Sequence, residues 1–239
     1  MTTRQVSTSF SVTERQLIQM PGDRFAQCLR GFGPVGILAV VIVLAGNIIV
    51  APLSAVLVLL WRRLSNTSWR DLGFVRPKSW VRTLLLGSIF GVALKFIMKA
   101  LVMPLLGAPP INQVYHYLAG NTAALPVTVL TMIIVAGFGE EMVYRGFLFE
   151  RFDKLCGTKT GARVTTILLT SAWFALLHYR EQGPAGVEQA AITGLAFGTL
   201  FAITHRLWMP IVAHAAFDLT AVAMIYCNVE SDIAHLFFR

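Results

Sequence analysis

Residues 34–60 run for twenty-seven positions without one charged side chain. Further long apolar runs follow at about 83–106, 126–144, 164–178, 189–203 and 207–227. In hydrocarbon no water is at hand for backbone N–H and C=O groups, so a spanning segment closes its own hydrogen bonds as a helix or joins a closed barrel. None of these runs alternates with the period of two that barrel strands need. The expected fold is therefore all-α, a polytopic transmembrane bundle of about six to seven spans. Composition agrees: 56% of the residues are hydrophobic and 13% charged, against about 25% charged in soluble domains. The net charge of +8 comes from Lys and Arg scattered between the apolar runs, where they set orientation. That distribution argues against a nucleic-acid partner, which would call for a clustered basic face.

Four regions are expected. Residues 1–33 form a polar N-terminal segment whose Ser/Thr-rich start has little to pack, with residues 14–29 as an interfacial amphipathic helix. No cleavable signal is expected, because the first apolar run is long and begins late. Residues 34–125 hold N-terminal spans and a basic loop, residues 126–227 a membrane core, and residues 228–239 a tail. The loop at residues 62–82, with six basic side chains against Asp71, is expected on the cytoplasmic side, and so is residues 145–163. Residues 107–125, free of Lys and Arg, fall on the opposite side. This alternation puts the Arg-bearing N-terminus outside unless residues 34–60 fold back as a hairpin around Pro52. Gly87-x3-Gly91 and Gly194-x3-Gly198 are close-packing signals, within the chain or between copies. Lys95 and Lys99 are expected to face a wet crevice or to snorkel, rather than to bind substrate. Cys28, Cys156 and Cys227 are too few and too far apart for a disulfide framework or a four-cysteine zinc site.

Of twelve acidic residues, only Glu140, Glu141 and Asp218 fall in or at the end of the apolar runs, and of five histidines only His178 and His214 do. Ionisable groups within a membrane usually face one another or a water-filled cavity, so these five residues define a candidate site. Glu141 and Arg145 stand four apart on one helix face, acid first, the favourable order for a pair. That leaves Glu140 the freer acid, since adjacent helical residues point about 100° apart. His214 and Asp218 also share a face, and Phe174 lies beside His178 as an apolar wall. His116, His205 and His235 carry no expected role.

Glu140-Glu141-x3-Arg145, Phe174-x3-His178 and His214-x3-Asp218 resemble, in order and in membrane setting, the motifs of the CPBP family, the CAAX-protease-like and ABI intramembrane peptidases. The resemblance covers about residues 126–226. It implies hydrolysis of a peptide bond in a membrane-associated protein or peptide, with Glu140 as general base, His178 holding the same water and His214 with Asp218 stabilising the oxyanion. Glu141 and Arg145 would fix the helix end. The site would open to the lipid or to the side of the Arg145 loop, and the setting would be a bacterial cell membrane. Position 218 is Asn in the prenyl-protease branch and Asp here. An ionised carboxylate only accepts, so Asp218 donates to an oxyanion only when protonated; otherwise it orients His214 or helps bind a cation. The alternatives are a divalent metal such as zinc on Glu140, His178 and His214, a transporter or proton relay using the same groups, and a non-catalytic immunity or scaffold membrane protein.

Overall fold

Val50 breaks the longest uncharged run in two. In the computed structural model, which describes residues 21–238, Val50 is extended (φ −160°, ψ 129°) and separates helix α2, Pro34–Ile49, from helix α3, Ala51–Leu64. Each begins with a proline in its first turn, where the missing N–H has no helical partner to lose. The two helices fold back on each other: Ser54 donates to the Val43 carbonyl, and Gly46 lies against Leu53 and Leu57. The far ends also meet, with Arg30 Nη1 donating to the Ser65 carbonyl at 2.6 Å and Trp61 Nε1 to that of Leu29 at 3.2 Å. At 1.5 Å per residue these helices reach only about 24 Å and about 21 Å, less than the roughly 30 Å of a hydrocarbon core. The expected first span is thus a hairpin that dips in and returns, with its turn at Val50. Both ends of the hairpin lie on the side of Arg62 and Arg63, and Arg30 lies there with them.

The remaining architecture is helical, with no strand among the described residues. Helix α1 is Pro21–Arg30; the part of the expected interfacial helix at residues 14–20 lies outside the described residues, as does the Ser/Thr-rich start. Among the described residues five helices are long and apolar enough to cross a membrane: α4, Trp80–Leu105; α5, Leu125–Cys156; α6, Thr160–Leu177; α7, Tyr179–Thr204; and α8, Trp208–Tyr226. Counting the bent pair Arg24–Arg30 and Pro34–Ile49 as one span raises the number to six, so the upper expectation of seven gives way to the short hairpin. A final turn, α9, is Glu230–Ala234.

Helix α5 runs about three turns beyond Tyr144, where the apolar run ends. Arg145 and Arg151, expected in a cytoplasmic loop, are inside this helix and 1% and 3% exposed. Charge alone misplaced them, because each is matched by a neighbouring glutamate, Glu141 and Glu150. The helix ends where Gly157 takes φ 78°, a left-handed conformation open to glycine. Over Met132–Glu140 and Met142–Leu148 the winding is π-helical, on both sides of Glu141. Such wide turns are uncommon and concentrate at functional sites.

The two faces are well separated. On one, Leu207 N donates to Gly73 O, Arg206 to Arg76 O and Arg163 to Ala202 O, which gathers the basic loops. On the other, Gly120 N donates to Tyr226 O, and Lys99 Nζ pairs with Glu230 at 2.9 Å, tying α4 to α9.

The small-residue spacings act within the chain. Gly87 lies against Val212 on α8, Gly194 against Ser171 and Gly198 against Ile167 on α6. A Cβ at Gly91 would run into the Ala213 carbonyl, so α4 and α8 touch backbone to backbone there. Gly91→Val should lower stability by about 1–3 kcal/mol through overpacking, read as a lower thermal midpoint in detergent. Gly161→Ala, where a Cβ meets nothing, is the matched control and should leave the midpoint in place.

Candidate active site

Four helices deliver the polar groups: Glu140, Glu141 and Arg145 come from α5, Phe174 and His178 from the end of α6, Gln189 and Gly194 from α7, and His214 with Asp218 from α8. All six polar residues proposed from sequence meet in one region.

Glu141 is its anchor. It is fully buried, and its Oε1 accepts from Arg145 Nη1 at 2.7 Å and from His214 Nδ1 at 2.8 Å. Arg145 turns its other arm, Nη2, to the Gly194 carbonyl at 3.0 Å. Its guanidinium stands 5.1 Å from the ring centre of Phe174, 5.8 Å from Phe197 and 5.9 Å from Tyr144, within cation–π reach of all three. The buried charge is thus enclosed by a carboxylate, a carbonyl and aromatic faces.

That anchor sets the histidine. With Nδ1 committed to Glu141, His214 presents Nε2 to Asp218 Oδ2 at 3.4 Å and to Glu140 Oε2 at 3.8 Å. The ring is held between Phe197, 5.0 Å away, and Phe174, 6.0 Å away. His178 is oriented by its own helix: Nδ1 donates to the Phe174 carbonyl at 2.8 Å, which leaves Nε2 for other work. Phe174 packs edge-on to His178 at 4.5 Å and is itself 2% exposed. It is a wall supporting both imidazoles.

Glu140 differs from its neighbour. It has no hydrogen-bond partner within the described residues, and its side chain keeps 16% exposure where Glu141 has none. Glu140, His178, His214 and Asp218 line a cavity of about 570 Å³ together with Lys95, Tyr115, Tyr144 and Gln189. Beyond these, its lining takes in Ile48, Ile49, Val50 and Pro52 at the hairpin turn, then Asn112, Leu118 and Arg180 to Gln182. Of the two openings expected from sequence, to the lipid or to the side of the Arg145 loop, residues 145–163 contribute nothing to this lining.

Among the described residues no three His, Cys, Asp or Glu side chains stand close enough together to hold a metal ion. Sequence reasoning missed the Glu141–His214 bond, which joins residues 73 positions apart, and the roles of Phe197 and Gln189. Nothing in their spacing marks them.

Residues 122–220 match the family model described as type II CAAX prenyl endopeptidase Rce1-like. No curated protein and no solved structure matches the chain.

Proposed function

We propose, for a chain whose residues 122–220 match the Rce1-like model of type II CAAX prenyl endopeptidases, that it is an intramembrane endopeptidase acting through a glutamate-activated water. The observation that carries this reading is the contrast between the two adjacent acids. Glu141 is locked to Arg145 and His214, while Glu140 is unbonded and faces the cavity. A general base needs a free carboxylate within reach of water.

The reaction then runs as follows. Glu140 takes a proton from a water held against His178 Nε2, and the hydroxide adds to the scissile carbonyl carbon. His214, as imidazolium, donates from Nδ1 to Glu141 and from Nε2 to the oxyanion, the preorganised donor that such intermediates need. The C–N bond breaks as Glu140 returns its proton to the leaving amine. Asp218, 3.4 Å from Nε2, positions His214 and donates to the oxyanion only when protonated. Phe174 shapes the pocket. The substrate is a membrane-associated protein or peptide, reaching the cavity from the bilayer or from the face opposite the basic loops, in a bacterial cell membrane. A prenylated substrate applies only where the host prenylates proteins.

The test compares membrane-associated peptides by mass spectrometry in cells carrying wild-type protein or Glu140→Ala. New termini present only with wild type are expected, and they name the substrate. Identical profiles would overturn the reading and make ion flux the next measurement. The zinc alternative has its own readout: stoichiometric metal in purified protein, lost in His178→Ala, would move Glu140, His178 and His214 from proton chemistry to ligation.

A further inference from the structure

We propose that Lys95 is a specificity-determining cation that binds a carboxylate of the substrate inside the reaction cavity. This rests on the peptidase reading for the word substrate, but the binding itself is testable without turnover. Lys95 lies outside the matched residues 122–220, so nothing in the family match assigns it a role.

Two lysines one turn apart on α4 make the case by contrast. Lys99 is 9% exposed and satisfied: Nζ donates to Glu230 at 2.9 Å and to the Pro110 carbonyl at 2.7 Å. Lys95 is 8% exposed, yet its Nζ donates only to a neutral amide oxygen, Gln189 Oε1, at 3.0 Å, and stands 4.7 Å from the Phe217 ring centre. Among the described residues no carboxylate oxygen lies within 4.0 Å of it. An ammonium has three donors, so two remain. A buried cation calls for a paired anion far more than an exposed one does.

The setting supplies the rest. Lys95 and Gln189 both line the cavity that holds Glu140, His178, His214 and Asp218. None of the acids near it pairs with Lys95, and Glu181, which also lines the cavity, is in no ion pair among the described residues. Asp218 stands against His214, Glu140 is the proposed base, and Glu230 behind it is held by Lys99 and by the Asn112 N–H. An incoming carboxylate would meet two free donors of Lys95. It would also meet the amide N–H groups of Gln189, whose oxygen is turned to the lysine. Two sources carry that chemistry, the substrate's terminal carboxylate and an Asp or Glu side chain near the scissile bond. Either one fixes the distance from the carboxylate to the bond cleaved.

The experiment uses the full chain in lipid nanodiscs on a Glu140→Ala background, which cannot turn over. Fluorescent leucine-rich peptides are titrated in two pairs: a free C-terminal carboxylate against the carboxamide, and, in the carboxamide series, an internal Glu against Gln. A charge-assisted pair predicts that one acid form binds at least about ten-fold tighter than its neutral twin, and which pair splits names the source. Lys95→Met should bring that ratio close to one, and Lys95→Arg should keep part of it. Gln189→Glu, which sets a fixed carboxylate beside Nζ, should also collapse the ratio, and it serves if Lys95→Met fails to insert. Equal affinities within both pairs, binding of no peptide, or a preference that survives both Lys95→Met and Gln189→Glu would overturn the assignment. Absence of cleavage by the wild-type protein would overturn the peptidase reading alone, because binding is read separately.

Discussion

Glu140→Gln is expected to lower kcat for peptide cleavage by about 10²–10⁴-fold, the usual contribution of a positioned general base, with the thermal midpoint unchanged. The two halves of that expectation have separate causes. The substitution keeps the shape of the side chain and removes its ability to hold the proton of water. It breaks no internal hydrogen bond, since Glu140 makes none within the described residues and its charged neighbour His214 Nε2 stands 3.8 Å away. KM should move little, because the amide still fills the same place in the cavity. A discontinuous cleavage assay on purified protein, run beside a melting curve in the same detergent, measures both. Retention of wild-type kcat would remove Glu140 from the reaction. A large drop in thermal midpoint would show that it supports the fold instead.

How far this contrast was legible in the sequence depends on the span over which each contact acts. Glu141–Arg145 and His214–Asp218 are four residues apart on single helices, and helical geometry alone brings each pair to one face; both are found close together. The convergence of α5, α6 and α8 was suggested by the rarity of ionisable groups in apolar runs. The bond that organises the site was not legible. Glu141 on α5 meets His214 on α8 one turn beyond the close approach of Gly137 to Ala215, and no local pattern encodes that depth. Charge misled in a consistent way: Arg145 and Arg151 read as loop residues, and both are buried beside a glutamate. The hairpin turned at Val50 rather than at Pro52 itself, because proline is accommodated in the first turn of the returning helix.

Arg145→Met should cost about 3–5 kcal/mol of stability, the range for removing one partner of a buried ion pair. It deletes the Nη1 bond to Glu141 and the Nη2 bond to Gly194, and it leaves a carboxylate with no exposure beside an imidazole as its remaining partner. Methionine keeps much of the volume against Phe174 and Phe197, so the loss reports charge rather than an empty space. Glu141→Leu with Arg145→Met separates stability from catalysis. Replacing both charges by apolar groups should recover most of the stability lost in the single variant, as buried pairs exchanged whole often do. It should not recover cleavage, because His214 Nδ1 then has no acceptor and the ring loses the bond that aims Nε2 at the cavity. A denaturant or thermal titration of the two variants against wild type, with kcat measured on each, decides the matter. Recovery of both properties would mean that the pair serves only the fold. Recovery of stability alone would assign Glu141 the task of orienting His214, and Arg145 the task of keeping Glu141 in place.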